Sequence, residues 1–181
     1  FPHELYAQAM EMGLHCLEIP EEFGGGGIDH MTTAAIMEEL GKVDAGFATT
    51  LSAISLALKP VLIAGNDAQK KLFADIVIPG KFGAFALTEP NAGSDAGSQL
   101  TTAVKDGNEY VINGRKCFIT NGGVADVYVV FATTDKSKGL KGISAFIVER
   151  SRDGISVGKE ENKMGIRLSN TTDVVFDDVR I

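Results

Sequence analysis

From Pro79-Gly80 onward, no interval between strand-like runs holds a helix of crossover length, and this spacing limits the fold more than any other feature of the chain. The runs are Phe82 to Leu87, Gln99 to Val104, Glu109 to Ile112, Arg115 to Thr120, Val127 to Thr133, Ile143 to Val148, Ile155 to Val157 and Asp173 to Phe176. Strong turn signals separate them: Asp106-Gly107-Asn108, Asn113-Gly114, Asn121-Gly122-Gly123 and Lys138-Gly139. Tyr110 and Ile112 alternate with Val111 and Asn113, as on a strand with one face buried. A doubly wound parallel sheet is therefore excluded, and an antiparallel sandwich or small barrel is expected over residues 82–181.

Residues 1–81 carry a different period. Leu5, Ala9 and Met12 lie at helical spacing between Pro2 and Leu14. Asp29 is a plausible N-cap for a helix over Thr32 to Leu40, which Gly41 is expected to stop. Leu51 to Gly65 reads as a buried helix ended or kinked at Pro60, and Asn66 or Asp67 caps a last amphipathic helix carrying Leu72, Phe73 and Ile76. Gly24 to Gly27 lack both the Lys-Ser/Thr ending of a phosphate loop and the spaced glycines of a dinucleotide fingerprint, so a tight connection between helices is expected. The organisation is α+β: an all-helical domain over 1–81, then a β domain over 82–181.

Composition removes several functions. The 17 Lys and Arg against 24 Asp and Glu give a formal charge of −7 with no dense basic run, which argues against nucleic acid. Cys16 and Cys117 are the only cysteines, too few for a disulfide scaffold and suited to a reducing compartment. His3, His15 and His30 match no metal-ligand spacing, and each reads as a surface or cap residue. No uninterrupted apolar stretch reaches the roughly 20 residues of a membrane helix. Phe1 enters directly into a helical pattern and Ile181 follows directly on a strand-like run, as in a piece of a longer chain.

Two stretches concentrate chemistry. Phe85 to Asp95, FALTEPNAGSD, leaves a strand through a loop rich in hydroxyls and turn residues, suited to an anionic or strongly polar ligand, though an ordinary surface turn has the same composition. Gly114 to Gly123, GRKCFITNGG, offers Phe118 beside Thr120; Phe118 could face a flat ring, yet a core position is the simpler reading. Lys159 to Arg167, KEENKMGIR, borders a ligand or is a solvated link. Glu89, followed by Pro90, looks like a loop-shaping residue rather than a general base.

FALTEPNAGSD, NGRKCFITNGG and the closing KMGIRLSNTTDVVFDDVRI together resemble the middle β domain of the acyl-CoA dehydrogenase family, and IPEEFGGGG with the helices after it resembles that family's N-terminal helical domain. The short-chain, butyryl-type branch is the most similar. The resemblance implies an FAD flavoprotein that oxidises an acyl-CoA thioester to the trans-2-enoyl-CoA and passes electrons to an electron-transferring flavoprotein. It further implies that Phe85, Leu87 and Thr88 line the flavin, that Gly93 and Ser94 approach the FAD pyrophosphate with Ser94 also touching CoA, and that Phe118, Ile119 and Thr120 complete the flavin wall. Phe118 stands where the family often has tryptophan. The family's second helical domain, which supplies the catalytic glutamate, lies beyond these 181 residues, so no catalytic residue is assigned and the fragment alone is expected to be inactive. The full-length parent is expected to be a homotetramer, cytoplasmic if bacterial and in the mitochondrial matrix if eukaryotic. An acyl-CoA oxidase or flavin-dependent monooxygenase of the same fold, and a noncatalytic acyl-CoA-binding protein, are the alternatives. Acyl length is expected to depend partly on the helix around Leu51 to Leu58.

Overall fold

The computed structural model describes all residues, 1–181. Helix α1 (His3–Glu11) leads into a 3-10 turn at Glu21–Phe23 and the glycine run. Those glycines make a tight connection, since all four N–H groups are bonded within the chain: Gly24 to Glu21 O, Gly25 to Pro20 O, Gly26 to Cys16 O and Gly27 to Ile19 O. A Cβ on Gly25 would lie 2.2 Å from Ile19 O, so close backbone approach explains the glycine there.

Asp29 caps α2 (His30–Val43) by accepting from the Met31 and Thr32 N–H groups. Gly41 does not stop this helix, which continues to Val43. An interior glycine costs only about 1 kcal/mol relative to alanine, and here it faces Ala48 of the next helix, whose Cβ would lie 4.0 Å from an added Cβ. Asp44 alone separates the two helices, and it caps α3 (Ala45–Ala64) through the Phe47 N–H. Pro60 lies inside α3, which runs on past it to Ala64. By length and composition α3 could cross a membrane, with a mean hydropathy of 1.7. Here it is the central helix, with Leu51, Ile54, Ala57 and Leu58 buried in the core. Asn66 and Gln69 form a reciprocal capping box for α4 (Asp67–Val77).

The remainder is one curled sheet of β1 (Gly83–Ala86), β2 (Thr102–Asp106), β3 (Glu109–Thr120), β4 (Val127–Thr133), β5 (Ile143–Glu149), β6 (Ile155–Val157) and β7 (Thr171–Arg180). Its order is β1-β4-β2-β3-β7-β6, with β5 on β4. The sheet is mixed where an antiparallel one was expected: β1 and β4 pair in parallel, and β2 meets β4 in parallel at Thr102 and Thr133. A parallel pair needs a long return path, and the β2–β3 hairpin supplies it without a crossover helix. Asn113-Gly114 is not a turn either. β3 runs straight through it, with a register shift against β7 between Ile112 and Gly114.

A single hydrophobic cluster joins the helices to the sheet, from Tyr6, Leu51 and Phe73 to Val127, Tyr128 and Phe176. Sheet and helices are therefore held at a fixed separation, and a cleft opens between them.

Candidate functional site

The sheet side of the cleft is built by fastening the loop after β1 to β3. The Cys117 N–H donates to Thr88 O at 2.8 Å. Beneath it the Lys116 side chain is fully buried, and its Nζ donates to Leu87 O (3.0 Å), Glu89 Oε1 (2.8 Å) and Gln99 Oε1 (3.1 Å). Glu89 also accepts from the Leu100 and Thr101 N–H groups at 2.6 and 3.0 Å. Burial pushes the Glu89 carboxyl upward, but the Lys116 ammonium and the donors from Thr101 and Leu100 outweigh it and hold the group below its ordinary value. An ionised, enclosed carboxylate with three donors shapes the loop and cannot reach a substrate proton. Lys116 escaped the sequence reading because nothing local marks a lysine as buried; the signal is the partner Glu89, visible only once the strand pairing is known.

A second register shift, between Lys116 and Ile119, turns Phe118 outward. Its φ is 55° and it is 66% exposed, so the core reading of Phe118 is overturned. A bulky residue in the left-handed region is strained by about 1–3 kcal/mol and marks positions held for a purpose other than stability. Just beyond, Asn121 takes φ 64° fully buried, and its Nδ2 donates to Thr50 O in α3 (3.0 Å) and Gly83 O in β1 (3.1 Å). Asn121 thereby sets the distance between α3 and the sheet wall.

The cleft so defined has a volume of about 960 Å³. Phe85, Thr88, Phe118, Ile119 and Thr120 come together on its sheet side, facing Met37 of α2 and Ala53 and Leu56 of α3. Leu87, Gly93 and Ser94 lie outside this lining. Leu87 is half-buried with its carbonyl held by Lys116, whereas Gly93 and Ser94 are exposed on the loop. Gly93 is not in the left-handed region, and an added Cβ would meet nothing within 4 Å. Neither its backbone nor its neighbours in this chain require a glycine.

Sequence reasoning missed the polar group on the helical side. Glu18, with only 5% of its side chain exposed, contacts His30 Nδ1 at 2.5 Å and Lys59 Nζ at 2.6 Å, and all three line the cleft. Burial raises the Glu18 carboxyl, yet the bonds from Lys59 and His30 prevail and its pKa is lowered. His30 opens α2 and is largely exposed, as a cap-region histidine should be, but its role in this cluster comes from residues 12 and 29 positions away. No periodicity reports such a contact.

Comparison with known proteins agrees with this architecture. The family model "Acyl-CoA dehydrogenase, N-terminal domain" matches residues 1–81 and "Acyl-CoA dehydrogenase, middle domain" matches residues 84–179. A short-chain specific acyl-CoA dehydrogenase of Megasphaera elsdenii is 48% identical over 100% of this chain and 49% of its own length. Subunit CarC of the caffeyl-CoA reductase-Etf complex of Acetobacterium woodii is 44% identical over 100% of this chain and 48% of its own. The solved butyryl-CoA dehydrogenase of Megasphaera elsdenii superposes with a TM-score of 0.91 at 48% identity, over 98% of this chain and 48% of that one. The chain spans about half the length of these relatives. With both family models side by side over nearly every residue, on a helical layer and curled sheet that superpose on a solved relative, the chain belongs to the acyl-CoA dehydrogenase family.

Proposed function

We propose that residues 1–181 form the flavin wall and part of the acyl cleft of an FAD-dependent acyl-CoA dehydrogenase, whose full-length parent oxidises an acyl-CoA thioester to the trans-2-enoyl-CoA and delivers electrons to an electron-transferring flavoprotein. The observation that carries this reading is Phe118, an aromatic ring 66% exposed on a left-handed backbone at the edge of the cleft, with half-buried Thr88 and Thr120 beside it. An apolar face flanked by hydroxyls fits a flat heteroaromatic ring with a polar edge. FAD, when bound, supplies the hydride acceptor.

The chain's own residues then have distinct tasks. Phe85, Phe118 and Ile119 exclude water from one face of the ring, and Leu87 packs beside them. Thr88 and Thr120 offer hydroxyl donors at its polar edge, where preorganised donors count most in a water-excluded site. Gly93 leaves open space against its backbone, which suits close approach of a pyrophosphate, and Ser94 adds a hydroxyl for pyrophosphate or CoA. Glu89 remains with Lys116 and is not the base that takes the proton from the α carbon. The division near residue 81, the homotetrameric parent, and a cytoplasmic or mitochondrial-matrix location according to source belong to the same proposal. Free Cys16 and Cys117 suit such a reducing compartment.

The test is an anaerobic visible spectrum of the full-length parent before and after butyryl-CoA. Loss of the oxidised-flavin absorbance with recovery of crotonyl-CoA is expected. A flavin spectrum unchanged by acyl-CoAs of several lengths overturns the substrate, and absence of flavin overturns the cofactor. Oxygen consumption at turnover rate would make the protein an oxidase.

A further inference from the structure

The cleft changes character along α3. Near the sheet wall, Asn121 anchors the helix at Thr50; the lining then passes Ala53 and Leu56 and stops at Lys59. At 1.5 Å per residue, Lys59 lies about 13 Å along the axis from Thr50. Met37 and Ala34 of α2 face the middle of this path, where Ser52 and Ser55 of α3 lie beside Ala53 and Leu56, so the α3 lining there is mixed but carries no charge. The far end does. There the buried Glu18 carboxylate holds Lys59 and His30, and Lys59 keeps 30% of its side chain exposed.

We propose that the Glu18–Lys59–His30 cluster is a specificity determinant that closes the far end of the cleft to long apolar acyl chains. The proposal rests on the acyl-CoA reading above. A short acyl group ends against Ala53 and Leu56 and leaves the cluster hydrated. A longer tail must strip water from the Lys59 ammonium and His30 while offering no hydrogen bond in return, and desolvating a charge without compensation is costly. The cluster cannot fold aside cheaply, because Glu18 is buried and would lose its lysine counter-ion if Lys59 withdrew, keeping only its contact with His30. Nor does the charge vanish by protonation near neutrality, since Glu18 titrates below the ordinary carboxylate range.

Binding without turnover isolates this effect. S-butyl-CoA and S-octyl-CoA thioethers lack the carbonyl that acidifies the α carbon, so each can be titrated calorimetrically into the full-length flavoprotein. The Glu18→Gln/Lys59→Met variant nearly preserves volume and removes both charges. Its preference for the octyl over the butyl thioether should rise by about tenfold or more relative to wild type. An unmoved ratio, in a variant with wild-type circular dichroism and flavin spectrum, overturns the proposal alone. Failure of both thioethers to bind wild-type protein overturns it together with the acyl-CoA reading. Should the double variant not fold, Lys59→Met alone is read by the same ratio, and an unmoved ratio there is equally decisive.

Discussion

Lys116 and Glu89 hold the sheet wall in place with charges that have no access to solvent. A buried pair is worth little over an apolar replacement, but removal of one partner strands the other and typically costs about 3–5 kcal/mol. Glu89→Gln keeps the shape, leaves the Lys116 ammonium without its counter-ion and weakens the bonds from Leu100 and Thr101. Urea unfolding at neutral pH should show a loss of about 3 kcal/mol or more; a loss below 1 kcal/mol would mean that solvent reaches Lys116. The same carboxylate carries a pH signature. Its folded pKa lies below the ordinary value of 4.5, so its stabilisation is fully present above that value and is lost as pH falls through the folded pKa. Glu18, also lowered, contributes with the same sign and remains in the variant. The stability of Glu89→Gln should therefore fall less steeply with acidification than that of wild type, without becoming flat. Neither carboxylate announces these roles in the sequence, where charge pairs between distant segments have no local pattern.

Regular elements were legible where one period ran undisturbed. Val127–Thr133 and Ile155–Val157 are strands over the residues whose composition marked them, and Asp29 and Asn66 cap the helices they precede. β3 was legible only in pieces. Asn113-Gly114 reads as a turn by composition, yet its glycine serves packing: a Cβ on Gly114 would sit 2.2 Å from Thr101 Oγ1 and 2.6 Å from Thr101 Cβ. Strand alternation also misassigned Phe118, since a register shift moves every following side chain to the opposite face and one lies between Lys116 and Ile119. The site is thus hidden where the ladder is irregular, and irregularity is what exposes the ring. Gly114→Ala should destabilise the chain by about 1–3 kcal/mol through overpacking, measured as a lower urea midpoint with unchanged slope. In a Thr101→Gly background the same substitution should cost much less; an equal cost in both backgrounds would place its origin in the β3 backbone rather than in Thr101.

Across the whole molecule, two differently patterned halves share one core. Tyr6 of α1 donates to Leu168 O at 3.0 Å and packs edge-to-face with Phe82 at a centroid separation of 5.7 Å. Gly46 of α3 passes so close to the segment before β7 that an added Cβ would lie 2.9 Å from Ile166 C. Phe73 of α4 reaches Gly83 of β1, where a Cβ would lie 3.1 Å from its ring. Separating helices from sheet would expose α3, the most apolar helix, and the buried β1 and β4 that it covers. The cleft depends on this junction, because its two walls come from opposite sides of it. Residues 1–181 should accordingly unfold in one cooperative transition: in a Tyr6→Phe/Tyr110→Phe background, which leaves Tyr128 of β4 as the one tyrosine, helix loss in far-ultraviolet circular dichroism and loss of the near-ultraviolet tyrosine signal should share one urea midpoint. If the helical signal were lost at a lower urea concentration while Tyr128 stayed ordered, the halves would be independent units, and the cleft would lack a fixed width without a further part of the parent protein to clamp it.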